Sequence, residues 1–329
     1  MSKQIIGMVS SYPGLTQSDW LWKQTPETFG TWGKVQMQAS HPQPDFLLLY
    51  QYDFFAWQQS KPRSWRQSLK NKISSALFSE ALQEGIPDLN TVFRKVPQER
   101  RIYLLREPPL QEILHKNRTN YEFAKRHCCY ISGPDDLAPT PNFMPAIWYV
   151  DVSFRELNEM AAPCKAKPCS WITSGISRTE NHRKRLNFLR DVQASKIAVD
   201  FYGRGLPDWV TSLGPVNNKW HALAPYYYNL AIENYADNAW YVSEKLWDAL
   251  LGWCLPIYYG GPAADHLLPP GSFLRLPSMD EKGIAFIREV TATPDAWIEA
   301  QSAIAEARQL ILHKLNLLNW LSEYVEQFS

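Results

Sequence analysis

Apolar runs of strand length alternate with amphipathic segments along most of the chain. In the first half, QIIGMVSS, PDFLLLYQYDFF and ERRIYLLREPPL are rich in aliphatic and aromatic residues, which predicts three strands. The segment NKISSALFSEALQEGI has helical spacing and a glycine near its end, which predicts a helix. These elements together predict an α/β unit.

The alternation of strands and helices is clearer after residue 170. The segment AAPCKAKPCS at 161–170 has two prolines and no apolar period, and it predicts a linker. Beyond it, WITSGIS, KIAVDFYG, APYYYNLAIE and CLPIYYGG predict strands, while ENHRKRLNFLRDVQ and YVSEKLWDALLG predict helices. Such alternation indicates a mostly parallel sheet with helices on both faces. From Asp295 onward we expect one or two amphipathic helices, with a stripe of Leu310, Leu317, Leu321 and Val325.

The length of 329 residues predicts about two domains. We place an amino-terminal domain at 1–162, a carboxyl-terminal domain at 163–294, and the final helices at 295–329. Lys and Arg number 34 against 33 Asp and Glu, so the net charge of +1 gives no reason to expect a nucleic-acid or anionic-membrane partner. The five cysteines lack the spacing of a zinc site, and no apolar run approaches about 18 residues. We therefore expect a cytoplasmic protein without an integral membrane segment.

Polar side chains follow one strand of the second half and begin the next helix. Glu233 and Asn234 lie at the end of YYYNLAI, where ligands bind in a parallel sheet. The following helix is predicted to begin near Tyr241, which puts Glu244 and Lys245 in its first turn. Free backbone N–H groups and a lysine suit a diphosphate, and a neighbouring carboxylate suits sugar hydroxyls. On spacing alone, ordinary solvated residues of a helix surface are the alternative.

Two further groups are candidates for the same chemistry. The helix HRKRLNFLRDV carries Arg183, Arg185 and Arg190, and the planar fork of an arginine can clamp phosphate. Its alternative interpretation is a solvated basic face. In the first half, Glu107 ends the apolar run IYLLR before two prolines, where a carboxylate can take a proton from an incoming hydroxyl. By itself it is typical of a turn.

These stretches resemble the α1,3/α1,4-fucosyltransferases of glycosyltransferase family 10. The family signature reads roughly Y-K-F-x-L-x-F-E-N, Y-[IV]-T-E-K-[LI], V-P-[VI]-x-x-G and P-x-S-F. Its counterparts here are YYYNLAIEN, YVSEKL, LPIYYGG and LPPGSFLRL. Upstream, VDFYGRG resembles V-D-V-Y-G-R, and LLREPP resembles the E-x-P element of the amino-terminal domain. The resemblance is strongest over 170–280.

The resemblance implies a GT-B fold, with two Rossmann-like domains facing across a cleft and the final helices packing back. The carboxyl-terminal domain would hold GDP-fucose and the amino-terminal domain the acceptor. The implied reaction is the inverting transfer of L-fucose to a hydroxyl of a glycan acceptor, expected to be α1,3 to a glycan that contains N-acetylglucosamine. No metal is expected to be essential, and Asp135 and Asp136 are interpreted as a turn.

The resemblance also implies a role for each candidate residue. Glu107 would be the general base that deprotonates the acceptor hydroxyl. Arg185 best matches the phosphate-binding arginine of the family, with Arg183 as the fallback, and Lys245 would also bind phosphate. The residues expected to contact or line the GDP-fucose site are Glu233, Asn234, Tyr241, Glu244 and Lys245.

The chain departs from the family pattern at several positions. Tyr227 replaces a lysine, Ser243 replaces a threonine, and Gly175 replaces an asparagine. The loop between Asn234 and Tyr241 is one residue longer than the usual pattern. The alternatives are therefore a transferase of a different GDP-sugar and a catalytically silent glycan-binding protein on the same scaffold. Without a recognisable amino-terminal anchor or a basic amphipathic tail, the chain resembles compact bacterial members.

Overall fold

The computed structural model describes residues 3–12, 19–60, 89 and 93–328. Contacts divide the chain into two compact units. Unit 1 comprises Met1–Trp22 and Phe29–Asn142, and unit 2 comprises Lys23–Thr28 and Phe143–Ser329. The helix predicted at NKISSALFSEALQEGI lies outside the described residues.

Unit 1 is built on a mostly parallel sheet. Its strand order among the described residues is β2-β3-β1-β4-β5-β6-β7, and the β2–β3 pair is antiparallel. The strands are β1 (Gln4–Val9), β2 (Thr31–Trp32), β3 (Val35–Met37), β4 (Phe46–Tyr50), β5 (Arg101–Leu104), β6 (Tyr130–Gly133) and β7 (Thr140–Pro141). The α-helices are α1 (Asp19–Trp22), α2 (Phe54–Ser60) and α3 (Leu114–His127).

The three strands predicted in the first half are confirmed as β1, β4 and β5. All five residues of β4 are buried, because it lies between β1 and β5 and is covered on both faces. Aromatic side chains close the core on one face, where Tyr103 packs against Phe54 of α2 and Tyr121 of α3. The apolar runs therefore form the centre of this sheet, and Glu107 follows its strand β5.

Unit 2 contains a second sheet, of parallel strands. Its order is β12-β11-β10-β8-β9. The strands are β8 (Lys167–Ser174), β9 (Val199–Arg204), β10 (Tyr226–Ile232), β11 (Leu255–Tyr259) and β12 (Leu274–Arg275). The helices are α4 (Phe154–Glu159), α5 (Glu180–Ala194), α6 (Glu244–Leu251), α7 (Ala263–Leu267), α8 (Glu281–Val290), α9 (Asp295–Gln309) and α10 (Leu317–Glu326).

The final helices confirm the predicted amphipathic stripe. A π-helical segment, Leu310–Lys314, separates α9 from α10. Leu317, Leu321 and Val325 are buried, and Leu310 is half-buried. The helices pack against the rest of unit 2, since Trp297 of α9 donates a hydrogen bond to the Trp253 carbonyl at 2.8 Å.

The predicted linker at 161–170 is wrong in its second half. Strand β8 begins at Lys167, and Cys169 and Ser170 are fully buried. The segment KPCS was not recognised as a strand because it contains a proline and small residues and lacks an apolar period. Its pairing with β10, in which Cys169 lies opposite Tyr228, supplies the order that the local sequence does not show.

The two units divide after Asn142, whereas the sequence predicts a domain boundary at 162. The segment after Asn142 packs within unit 2, because the Tyr149 backbone N–H donates to the Asp248 carboxylate at 2.7 Å. The excursion Lys23–Thr28 is tied to the same unit. The Gln24 amide donates to the Trp148 carbonyl at 2.8 Å, and Asn316 donates to the Gln24 carbonyl at 2.8 Å.

The predicted α/β class is confirmed. Each unit has a Rossmann-like sheet, parallel apart from the β2–β3 pair of unit 1, and a GT-B fold contains two such sheets. Within the described part of the chain, no helix combines the length and the apolar character needed to cross a bilayer.

Candidate functional site

The carboxyl ends of neighbouring strands bring the unit 2 candidates to one edge of the sheet. Strand β10 lies between β8 and β11 and runs parallel to both. Glu233 and Asn234 follow β10, and Ser174 is the last residue of β8. Because the strands are parallel, these residues meet at the edge where α/β proteins bind ligands.

Helix α6 opens at this edge with a serine cap. Ser243 is the N-cap residue, and its hydroxyl accepts from the Lys245 backbone N–H at 3.4 Å. Glu244 and Lys245 therefore lie in the first turn, as predicted. The helix begins at Glu244 rather than near Tyr241. The Asn238 carboxamide accepts from the Tyr241 N–H at 2.9 Å and holds the preceding loop in a turn.

Glu233 lies under this first turn with no exposed side-chain surface. Its Oε1 accepts from the Ser243 N–H at 2.8 Å, and its Oε2 accepts from the Ser243 hydroxyl at 2.7 Å. The Lys245 ammonium donates to the same Oε2 at 3.1 Å and to the Ser243 hydroxyl at 3.0 Å. Both oxygens of the carboxylate are thus occupied by the start of α6.

Arg185 of α5 is also buried, with 3% of its surface exposed. Its guanidinium donates to the Asn234 carboxamide and, at 3.0 Å, to the Ser174 carbonyl. Burial lowers the pKa of Arg185 to about 10, and Tyr241 and Glu233 partly oppose that shift. Its Nε–H has no hydrogen-bond partner among the described residues. A buried guanidinium with one unused donor is suited to an anionic ligand.

The structure distinguishes the three arginines of α5. Arg183 is exposed and donates to the Ser177 carbonyl at 3.3 Å. Arg190 is exposed as well, and its guanidinium lies 4.6 Å from the centroid of the Trp209 ring. The solvated-face interpretation fits these two. Arg185 alone among the three reaches the residues that follow β10.

Tyr241, Glu244 and Lys245 differ in exposure at the start of α6. Tyr241 is 5% exposed and packs edge-to-face against Tyr235, with ring centroids 6.3 Å apart. The side chains of Glu244 and Lys245 are 25% and 20% exposed. The two charged groups of the first turn therefore remain accessible to a ligand.

Gly175 leaves no room for the asparagine that the family pattern has at this position. A Cβ built on Gly175 would lie 1.6 Å from the carbonyl oxygen of Gly205. The ends of β8 and β9 are held together there by a hydrogen bond of 3.0 Å from the Gly175 N–H to the Arg204 carbonyl. The departure is therefore a packing requirement of the β8–β9 pair.

Tyr227 lies away from the edge where the candidates meet. It is the second residue of β10, and its ring packs edge-to-face against Trp297 of α9 at 5.2 Å. Its hydroxyl donates to the Lys165 carbonyl at 3.3 Å. The loss of a lysine at this position therefore changes the packing of α9 and not the charge at the carboxyl ends of the strands.

A buried ion pair that the sequence did not predict lies beside the first turn of α6. The Lys219 ammonium lies 2.6 Å from the Asp248 carboxylate, which is 2% exposed. Burial raises the pKa of Asp248 despite this lysine, and the charge of Glu244 adds to the shift. An acid in the apolar stretch LWDALL was the signal, since a buried charge requires a partner.

Glu107 belongs to unit 1, whereas the other six candidates belong to unit 2. It follows β5 and is half-buried. Its carboxylate accepts a hydrogen bond from the Tyr12 hydroxyl, and its backbone N–H donates to the Gln51 side chain at 3.2 Å. The carboxylate is held in place by a side chain on a different segment, as a positioned acid or base requires.

Asp135 forms the turn that the sequence predicts. Its carboxylate accepts from the backbone N–H groups of Leu137 at 2.8 Å and Ala138 at 3.1 Å, and from the Tyr121 hydroxyl at 2.9 Å. Across the described ranges, no group of three or more His, Cys, Asp or Glu side chains is arranged to hold a metal ion.

Comparison with known sequences identifies the same part of the chain. The family model described as Glycosyltransferase family 10 (fucosyltransferase) C-term matches residues 162–297. Alpha-(1,3)-fucosyltransferase C of Drosophila melanogaster is 28% identical over 144 residues, which is 41% of this chain and 31% of that protein. The match thus spans about a third of the length of this curated relative.

Solved structures of glycosyltransferases are also similar to the chain. A crystal structure of an alpha1,3-fucosyltransferase with GDP-fucose is 16% identical, with a TM-score of 0.41, and the alignment covers 91% of this chain and 81% of that one. A mutant of T4 phage BGT in complex with UDP-glucose is 12% identical, with a TM-score of 0.45, and the alignment covers 100% of this chain and 97% of that one.

Proposed function

We propose that the protein belongs to glycosyltransferase family 10, whose carboxyl-terminal model matches residues 162–297, and that it transfers L-fucose from GDP-fucose to a hydroxyl of a glycan acceptor. The transfer inverts the configuration at the anomeric carbon. We propose an acceptor that contains N-acetylglucosamine and an α1,3 linkage.

The observation that carries the proposal is the convergence of cationic groups at the carboxyl ends of β8 and β10, where α6 begins. Arg185 is buried and its Nε–H has no partner within the described part of the chain, and Lys245 is partly exposed in the first turn. The backbone N–H groups of a helix start add positive potential. Two cations and a helix terminus match the diphosphate of a nucleoside diphosphate sugar better than they match a neutral glycan.

The same groups support catalysis of the departure of GDP. Negative charge grows on the β-phosphate as the bond to fucose breaks. Lys245, Arg185 and the start of α6 therefore stabilise the transition state more than the ground state. This supports an enzyme over a silent glycan-binding protein, which has no need of a diphosphate clamp. We propose that no metal ion is required.

Glu107 is the proposed general base. An inverting transfer needs one base that removes the proton of the acceptor hydroxyl as it attacks the anomeric carbon. The contact of Glu107 with the Tyr12 hydroxyl supports an ordered carboxylate. Glu244, whose side chain is 25% exposed beside Lys245, is proposed to accept from hydroxyls of the donor.

Two departures from the family pattern leave the charge of the donor site unchanged. Tyr227 packs against Trp297, and Gly175 is required by the approach of Gly205. Neither alters Arg185 or Lys245, so fucose remains our first choice over another GDP-sugar. The bacterial origin and the cytoplasmic location expected from the sequence stay predictions.

A transfer assay tests this function. The purified protein is incubated with GDP-fucose and N-acetyllactosamine, beside GDP-mannose and UDP-galactose as competing donors. We expect release of the nucleoside diphosphate only with GDP-fucose, and an α-linked fucose on the N-acetylglucosamine O3 in the NMR spectrum of the product. Transfer of another sugar, or retention of the donor configuration, would contradict the proposal.

A further inference from the structure

Glu233 is more deeply buried than the charged residues of the first turn of α6. Its side chain is completely buried, whereas those of Glu244 and Lys245 are 25% and 20% exposed. Three of the four lone-pair sites of its carboxylate accept hydrogen bonds from Ser243 and Lys245. Because the side chain has no exposed surface, a direct contact of Glu233 with the donor would require the first turn of α6 to move.

The hydrogen bonds of Glu233 determine the geometry of the helix start. The Ser243 hydroxyl has one proton, and it donates that proton to Glu233 Oε2. The lone pairs of the hydroxyl then face the Lys245 backbone N–H and ammonium. The carboxylate thus fixes the orientation of the cap, and the cap fixes the first turn.

Lys245 is held by the same carboxylate. Its ammonium donates to Glu233 Oε2 at 3.1 Å and to Ser243 Oγ at 3.0 Å, and a flexible four-carbon stem carries it. Ordering a free lysine side chain costs conformational entropy. Because Lys245 is already ordered before a ligand arrives, a diphosphate bound there does not bear that cost.

We propose that Glu233 is a positioning residue for the diphosphate, which acts through Ser243 and Lys245 and does not itself touch the donor. This inference rests on the proposed function, because it assumes that Lys245 binds phosphate. It replaces the sequence-based role of Glu233 as a residue that lines the nucleotide and sugar.

The test is a calorimetric titration of the full chain and its Glu233→Gln variant with GDP and with guanosine. The amide keeps the shape and one acceptor, but its NH₂ group cannot accept from Ser243 Oγ or from the Lys245 ammonium. We expect the Kd for GDP to rise about tenfold, because the Lys245 side chain must then be ordered when GDP binds. The affinity for guanosine, which has no phosphate, is expected to stay the same.

A double-mutant cycle separates positioning from a general structural effect. If Glu233 acts through Lys245, Glu233→Gln should add little to the loss of GDP affinity caused by Lys245→Ala. Asn229→Ala is the matched control, because Asn229 is buried on the same strand and donates to Ser170 rather than to α6. We expect this control to keep the GDP affinity even if its unfolding temperature falls.

Each outcome has a separate meaning. Equal loss of GDP and guanosine affinity in Glu233→Gln, or additive losses in the cycle, would overturn the positioning role. A parent protein without measurable GDP affinity would overturn the proposed function itself. If Glu233→Gln does not fold, Ser243→Ala removes the hydroxyl that joins Glu233 to Lys245, and unchanged GDP affinity in that variant would overturn the inference.

Discussion

At the scale of single residues, burial and hydrogen bonding distinguish a candidate ligand-binding residue from a neighbouring residue of the same type. Arg183 and Arg185 are indistinguishable by chemistry and two positions apart. The structure makes one a solvated arginine and the other a buried one that contacts Asn234. The sequence motif favours Arg185 only through spacing, because the side of a helix that faces the sheet depends on tertiary packing.

The role of Glu107 is tested by Glu107→Gln. The amide cannot take a proton, so we expect the turnover number for fucosyl transfer to fall about 10²-fold or more, with unchanged affinity for GDP-fucose. Steady-state kinetics and calorimetry measure the two quantities. Glu99→Gln is the matched control. Glu99 is exposed just before β5, and its variant should retain full turnover. Full turnover in Glu107→Gln would remove the base assignment.

Gly175 gives a second prediction at this scale. Gly175→Ala places a Cβ 1.6 Å from the Gly205 carbonyl oxygen, so the backbone must shift at the end of β8. We expect the free energy of unfolding to fall by about 2 kcal/mol or more, measured by urea denaturation. Ser177→Ala, in the same loop but exposed, should change stability little. An unaltered midpoint in Gly175→Ala would show that the close approach is not required.

At the scale of elements, continuous apolar runs were predictable and short pairings were not. Strands β4, β5, β10 and β11 are buried on both faces, and their sequences show it. The start of β8 was misread as a linker, because KPCS lacks apolar period and is ordered by its pairing with β10. Two-residue strands such as β2 carry too few positions for any period to appear.

Helix α6 is held at both ends by buried polar groups. Ser243 and Glu233 secure its start, and Arg308 of α9 donates to the Leu251 carbonyl at its end. Arg308 also donates to the Leu157 carbonyl, and its guanidinium lies 4.4 Å from the centroid of the Trp253 ring. Cations at a helix end interact favourably with the dipole. Arg308 therefore joins the final helices to the element that carries Lys245.

Arg308→Met tests this connection. The substitution leaves two buried carbonyl groups without a donor, and we expect the free energy of unfolding to fall by about 2 kcal/mol. Urea denaturation measures the change. The control is Arg288→Met, since Arg288 is exposed on α8 and makes a single contact of 3.5 Å with the Ser195 carbonyl. A parent-like stability for Arg308→Met would mean that its burial costs as much as its hydrogen bonds contribute.

At the scale of the whole molecule, the two-part organisation was predictable, but the division of the chain was not. Length and alternation indicate two α/β units. The return of Lys23–Thr28 to unit 2 depends on hydrogen bonds between Gln24, Trp148 and Asn316, which are far apart in sequence. No local sequence pattern predicts such long-range hydrogen bonds. They also explain why residues after Asn142 belong to unit 2.

Metal independence is a prediction for the whole protein. The proposed charge stabilisation comes from Arg185, Lys245 and a helix start, so it requires no divalent cation. We expect fucosyl transfer to proceed at an unchanged rate after dialysis against EDTA, measured by GDP release. The same assay with added Mg²⁺ or Mn²⁺ is the control. Loss of transfer with EDTA and its recovery with either ion would contradict the prediction.

The proposed GDP-fucose site lies at the carboxyl ends of β8 and β10. Calorimetric titration of the purified chain with GDP-fucose, GDP-mannose and UDP-galactose, without added metal, tests it most directly. We expect the tightest binding for GDP-fucose, and a loss of affinity of about tenfold or more in Lys245→Ala. Equal affinity for the three donors, no binding, or a Lys245→Ala variant that binds as tightly as the parent would contradict it.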